Sequence, residues 1–264
     1  MRTSTSYRNI DRAKRILRPV LAAAVWIVIW QLCSALAGDR SQLLFPSPLS
    51  VLDRIAAMVL EGDFWLSVAA TVGRVLSGYA VGMAAGCALG VATHVSGALR
   101  YILDPVRTVI KSTPVTSFIL LVLLWLGDSL VPAFITFLMV TPIAWSAVYE
   151  GLSGVDVELV EMARAFDVPV SRRVQGLYLP ALRHQLLAAS TTALGLAWKA
   201  GVTAEVLATP QFSIGSGLYD SKVYVETPDL FAWTLVVIAL SLCLEKLVVR
   251  AVSNIPARKA HRWR

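Results

Sequence analysis

Lys199 is the residue whose type and setting most invite a chemical role. It stands inside an apolar run from about His184 to Leu207. Thr192, Gly195, Lys199 and Thr203 recur at helical spacing, so they fall on or near one helical face, a polar stripe in an apolar helix. An ionisable side chain inside a membrane span costs roughly 2.5–3.5 kcal/mol on insertion scales, and its default reading is functional. A cation on a pathway would suit a small anionic substrate. The other reading is a structural ion pair with Glu205, Glu245 or Glu150. Glu205 lies about 120° from Lys199 around an ideal helix, which makes that particular pair awkward. Both readings stay open on the sequence.

Other chemistry finds little to rest on. No nucleophile–base pairing stands out, so no catalytic residue is assigned. Cys33, Cys87 and Cys243 are odd in number and lie far apart in apolar segments, which gives neither a disulfide framework nor a metal spacing. His94, His184 and His261 are scattered, and none reads as a metal ligand. There is no G-x-x-x-x-G-K-[ST] loop to cradle phosphates, so any use of ATP needs a partner. Gly215-Ser216-Gly217 lacks the following Lys and reads as an outer turn.

Composition dictates the scaffold that carries these side chains. The chain has 264 residues, 56% hydrophobic and 16% charged, a balance that points to a polytopic membrane protein of one domain. The net charge of +7 gathers in the N-terminal arm, one loop and the C-terminal tail. That pattern fits the positive-inside rule and argues against nucleic acid as a partner. The expected plan is all-α. A cytoplasmic basic arm (1–18) precedes a transmembrane domain of six spans (19–252), and a cytoplasmic tail (253–264) closes the chain. The spans are placed at Pro19–Ala37, about Ser67–Thr93, Asp104–Leu126, Leu130–Tyr149, His184–Leu207 and Leu230–Val252. The first covers roughly 28 Å. A signal peptide cleaved after Ala35-Leu36-Ala37 is the competing reading. The length of the apolar run and the membrane character of the rest of the chain disfavour it.

Between the first two spans, Ser47 can cap a helix with Pro48 in its first turn. Leu52, Ile55, Ala56 and Val59 form its apolar stripe, Gly62 can end it, and it should lie at the outer interface or pack on the bundle. In the second span, Gly78, Gly82, Gly86 and Gly90 fall at successive i+4 positions and predict a close helix–helix seam. Pro114 should kink the third span, with Arg107 and Lys111 snorkelling near its end.

One stretch is unlike the rest. Residues 155–182 hold two short amphipathic patterns broken at Asp167-Val168-Pro169 and end in Leu179-Pro180. Val155, Leu159, Met162 and Phe166 share one face, and Val174, Leu177 and Tyr178 form a second stripe. Arg164, Arg172, Arg173 and Arg183 place the stretch in the cytoplasm. Such a pair of helices can pass force from a soluble partner into the membrane, or can simply pack on the bundle.

Glu161-Met162-Ala163, then Asp167, then Leu179-Pro180 resembles the EAA loop of ABC importer permeases. Met162 stands where that family has Ala, and Asp167 where it has Gly. Gly supplies a left-handed turn there; Asp tolerates that conformation better than most residues and could cap the next helix. Phe45-Pro46-Ser47-Pro48, Arg74-Val75-Leu76-Ser77-Gly78-Tyr79, Lys111-Ser112-Thr113-Pro114 and Leu124-Trp125-Leu126-Gly127 resemble the nitrate/sulfonate/bicarbonate/taurine subfamily. The resemblance covers nearly the whole chain after residue 40. It implies a type I importer permease in a prokaryotic inner membrane, acting as a homodimer in lipid. Two ATPase subunits carrying ATP and Mg would dock on the loops, and an extracytoplasmic binding protein would deliver solute. Glu161, Ala163, Asp167, Leu179 and Pro180 would form the coupling site, and no cofactor belongs to this chain. A thiamine-precursor-like solute, an ATP-independent secondary transporter and a substrate-free membrane scaffold are the alternatives.

Overall fold

The computed structural model describes residues 21–22, 24–36 and 44–253, without the side chains of 184, 249 and 251–253. The basic arm, Pro19 and Ala37 of the expected first span, and tail residues 254–264 lie outside these. All regular elements among the described residues are helical.

After α1 (Ala24–Leu36) comes α2 (Pro48–Met58). Trp30 and Ser34 of α1 donate to the carbonyls of Pro46 and Phe45, tying the two helices at their link. The Ser47 hydroxyl caps α2 by accepting from the Ser50 N–H at 3.2 Å. Of the expected stripe, Ile55 alone packs inward, beside Val51 and Met58. Leu52, Ala56 and Val59 are exposed, while Val51 and Met58 are buried. The rotation follows a charge. Arg54 lies on the same side as Val51 and Met58 and donates to both oxygens of Asp229 at 2.8 Å. That bond holds the Arg54 guanidinium above its usual pKa. Gly62 does not close α2; it opens the next helix.

α3 (Gly62–Val95) runs 34 residues. α4 (Gly97–Ser112) and α5 (Val115–Leu123) come next, and then α6 (Val131–Ser153). Gly78, Gly82, Gly86 and Gly90 lie in the contact of α3 with α6. A Cβ at Gly82 would sit 2.9 Å from the Phe137 carbonyl oxygen, and one at Gly90 2.6 Å from the Val148 side chain. At Gly78 and Gly86 it would strike the carbonyls of Ala133 and Thr141. Only hydrogen fits, so the two backbones approach closely along the seam.

The expected third span is two helices, not one kinked helix. α4 and α5 meet at 101° across Thr113 and Pro114. Proline lacks an N–H and pushes its predecessor out of the helical region. Thr113 accordingly takes φ −81° and ψ 133°, and the helix stops there. α4 buries no residue. Its cations engage α6 rather than merely snorkelling. The Arg100 guanidinium lies 4.7 Å over the Tyr149 ring and that of Arg107 5.4 Å over Trp145. Lys111 donates to the Ser146 hydroxyl at 2.8 Å.

Beyond α6 lie α7 (Val157–Ala165), α8 (Val170–Arg173), α9 (Leu179–Ala208), α10 (Ile214–Val223) and α11 (Thr227–Ser253). Val75, Val140, Leu194, Trp198, Ile214 and Leu244 form the main core where α3, α6, α9, α10 and α11 meet. Gly215-Ser216-Gly217 is the first turn of α10, not a loop. Its glycines are packing positions, with Gly215 against Glu205 and Gly217 against Trp233.

Among the described residues, three helices are long and apolar enough to cross a membrane: α3, α6 and Thr227–Val248 of α11. The bent pair α4–α5 adds a fourth if it counts as one span. Six were expected. The described part of α1 is too short, and α9, at 30 residues, carries Lys199, Glu205 and several hydroxyls.

Candidate functional site

The stretch 155–182 folds into two short helices and a turn, all on the surface. Asp156 starts α7 by accepting from the Glu158 N–H at 2.9 Å. The helix ends in a complete Schellman arrangement. Val168 N–H donates to the Ala163 carbonyl at 2.9 Å, and Asp167 N–H donates to that of Arg164 at 3.0 Å. Between them Asp167 takes φ +49°, the left-handed conformation usually given to glycine. An Asp side chain tolerates it, and the hydrogen bonds over-determine it.

α7 buries none of its side chains. Val157, Leu159, Met162 and Phe166 stand 67%, 42%, 52% and 78% exposed, which leaves an apolar surface open in the isolated chain. Glu161 and Asp167 are exposed beside it, and Ala163 is half-buried with its carbonyl inside the Schellman turn. Leu179 and Pro180 are also exposed, at the start of α9. They do not end the helical run. A π-helical turn, Val174–Tyr178, joins α8 to α9 without a break. A proline inside an α-helix clashes with the carbonyl of the residue four before it. The wider π turn just ahead of Pro180 accommodates that ring, a device that periodicity alone does not reveal.

The polar stripe on α9 presents differently. Thr192 and Lys199 are exposed and Thr203 is partly so, while Ala193, Leu194, Ala197 and Trp198 on the other faces are buried. Both threonine hydroxyls donate to their own helix, Thr192 to the Ala188 carbonyl at 3.1 Å and Thr203 to that of Lys199 at 2.8 Å.

Glu205 is not the partner of Lys199. It is fully buried and pairs with Arg74 of α3 at 3.0 Å. Thr71 donates to its carboxylate at 2.8 Å, and the Gly215 N–H at 3.3 Å. Thr71 in turn accepts from the Ile214 N–H at 3.0 Å. Arg74 also donates to the carbonyls of Gln211 and Phe212, at 3.0 and 3.1 Å. The knot holds α3, the C-terminal end of α9, the linking turn and the start of α10 together. That turn contains two left-handed non-glycine residues, Thr209 at φ +44° and Phe212 at φ +49°. The sequence contained a signal for the pair: Arg74 and Glu205 are lone opposite charges in apolar surroundings. Nothing in the spacing said that they meet.

Comparison with known proteins places this architecture. The family described as "binding-protein-dependent transport system inner membrane component" matches residues 78–258. A permease protein named for aliphatic sulfonates transport in Bacillus subtilis is 25% identical, over 94% of this chain and 88% of its own length. The nitrate import permease protein NrtB of Synechocystis is 28% identical, over 73% of this chain and 72% of its own. The taurine transport system permease protein TauC of Escherichia coli is 22% identical, over 92% and 89%. The crystal structure of an amino acid ABC transporter with histidines shares the fold at a TM-score of 0.56 and 13% identity, over 71% of this chain and 91% of that one. With most of its length matched, the chain belongs to the binding-protein-dependent transport system inner membrane components, the permeases of ABC importers.

Proposed function

We propose that two copies of this permease form the transmembrane pathway of an importer for a small anionic solute. Two ATPase subunits, which carry the ATP and Mg, grip the two α7 helices from the cytoplasm. A solute-binding protein delivers the solute from outside. The chain crosses the membrane six times with both ends in the cytoplasm. α1, α3, the α4–α5 pair, α6, α9 and α11 are the spans, and residues 1–18 and 253–264 flank them.

The observation that carries this reading is α7 itself. It is a short helix with a bare apolar surface, closed by a hydrogen-bonded turn, beyond which α8 runs into α9 as unbroken helix. An exposed apolar patch on a rigid handle is suited to a protein groove, and movement of the handle would be passed to α9 without a slack loop. ATP binding would close the ATPases, draw the handles together and open the pathway outward; hydrolysis would reset it. The solute class follows the names of the relatives, which concern sulfonates, nitrate and taurine.

The test is co-purification of the ATPase with the permease from membranes. Glu161→Lys should remove most of the bound ATPase while the permease still inserts. Asp167→Gly accepts the same backbone angle and should keep it. Undiminished ATPase on Glu161→Lys would show that α7 is not the handle.

A further inference from the structure

Lys199 is the cation in the middle of α9, and the structure removes its nearest candidate counter-ion. Glu205 has its carboxylate occupied by Arg74, Thr71 and Gly215. Glu150 and Glu245 are exposed on other helices, and neither forms an ion pair with Lys199. Among the described residues the Lys199 ammonium has no hydrogen-bond or ion-pair partner.

The surface around it is also the wrong kind for lipid. Along the middle of α11 the exposed face is mostly apolar, with Ile238, Ala239 and Leu242 beside Thr234, and its charges Glu245, Lys246 and Arg250 come only toward the C-terminal end; Val81 and Val91 on α3 are exposed and apolar as well. Those faces suit hydrocarbon. The exposed stripe on α9 instead holds Thr192, Leu196, Lys199 and Thr203. A lipid-facing lysine at this depth would carry the full insertion cost with no return. A lysine facing a watered pathway does not.

We infer that Lys199 selects the charge of the solute in the pathway, drawing small anions to the α9 face and disfavouring cations. The inference rests on the permease reading above and names the residue behind its solute class. Lys199 is the stripe's charged donor, because Thr192 and Thr203 spend their hydroxyl hydrogens on their own helix. A single flexible ammonium with three donors recognises charge and hydrogen-bond acceptors, not a particular shape. The stripe therefore sorts by sign and leaves identity to the binding protein. In a homodimer each copy contributes one such cation.

The experiment does not require the cognate solute. Cys33, Cys87 and Cys243 are replaced by Ser, Thr203→Cys is introduced one helical turn from Lys199, and the permease–ATPase complex is reconstituted in vesicles. The rates of thiol modification, each divided by the same reagent's rate with a small free thiol in solution, are then compared for an anionic sulfonate-bearing and a cationic trimethylammonium-bearing methanethiosulfonate. The anionic reagent should react roughly tenfold faster, as expected for one unit charge a helical turn away in watered surroundings. Lys199→Gln should bring the ratio near one, and Lys199→Arg should restore it. Thr192→Cys gives a second reporter should the first fail to assemble. Equal rates with Lys199 present, or no reaction with either reagent in an assembled complex, would overturn the inference. Failure to bind the ATPase at all, with Lys199 unchanged, would instead overturn the permease reading beneath it.

Discussion

Glu205 sits fully buried in a helix with few other charges, and three donors converge on its carboxylate to keep it there. Its worth lies in what it joins. Arg74 completes the pair and also holds the carbonyls of Gln211 and Phe212, so one guanidinium fixes a turn with two strained residues. Removing one member of a buried pair strands the other charge, a loss of about 3–5 kcal/mol. Glu205→Ala and Arg74→Ala should each lower the thermal unfolding temperature of the detergent-solubilised permease sharply. The double variant should recover part of the loss, because no lone charge remains. Glu205→Gln should be milder, since its amide oxygen can still accept from Thr71 and Gly215. Two single losses that simply add in the double variant would mean that the pair is not coupled. The sequence reveals each charge but not the pairing. Arg74 and Glu205 are 131 residues apart, and only the packing of α3 on α9 brings them into reach. Asp167 is the opposite case. Its tolerance of left-handed geometry is a local property of the side chain, and the turn at φ +49° is local too.

At the scale of elements, what could be read from the chain was periodicity, and what could not was partner and continuity. The i+4 glycines mark one face of α3, but nothing in their spacing says that α6 fills it. Ile55 aside, the Leu52–Val59 pattern marks the wrong face of α2, because the Arg54–Asp229 pair outweighs a modest apolar preference. The span expected from Asp104 to Leu126 is divided near Pro114, where its two helices meet at 101°. An average over a window cannot see a bend. Conversely, Leu179-Pro180 looks like a stop, and a π turn carries the helix through it. The glycine seam can be tested by contrast within one helix. Gly86→Leu would drive a side chain into the Thr141 carbonyl and Ala144, and it should abolish recovery of folded permease. Gly73→Ala, on the same helix, meets nothing within 4 Å. It should be tolerated or slightly stabilising, by about 0.5–1 kcal/mol, because alanine loses less backbone entropy in a helix. Size-exclusion profiles of the two variants in detergent read this out. Equal profiles would mean that the seam yields and that the close approach of α3 to α6 is not required.

On the scale of the whole molecule, charge and shape point the same way. Arg164, Arg172 and Arg173 belong to the α7–α8 handle, and Arg100, Arg107 and Lys111 of α4 lie against the C-terminal half of α6 that leads into it. The opposite end carries Arg54, Asp229 and Glu61 in one small network, with Asp220, Lys222 and Glu226 in and after α10. Basic residues concentrated at one end favour a single orientation, with that end retained in the cytoplasm. The proposed coupling depends on it, since the proposed handle must meet the ATPase on the cytoplasmic side. α3 at 34 residues is about 51 Å long, more than a hydrocarbon core of roughly 30 Å requires, so it reaches beyond the core. The handle and α10 should therefore label from opposite sides. In a background with Cys33, Cys87 and Cys243 replaced by Ser, Glu158→Cys should react with a membrane-impermeant maleimide only in inside-out vesicles. Asp220→Cys should react only in right-side-out ones. Labelling of both from one side would break the proposed six-span arrangement. It would also leave α7 unable to serve as the ATPase handle while α10 faces the binding protein.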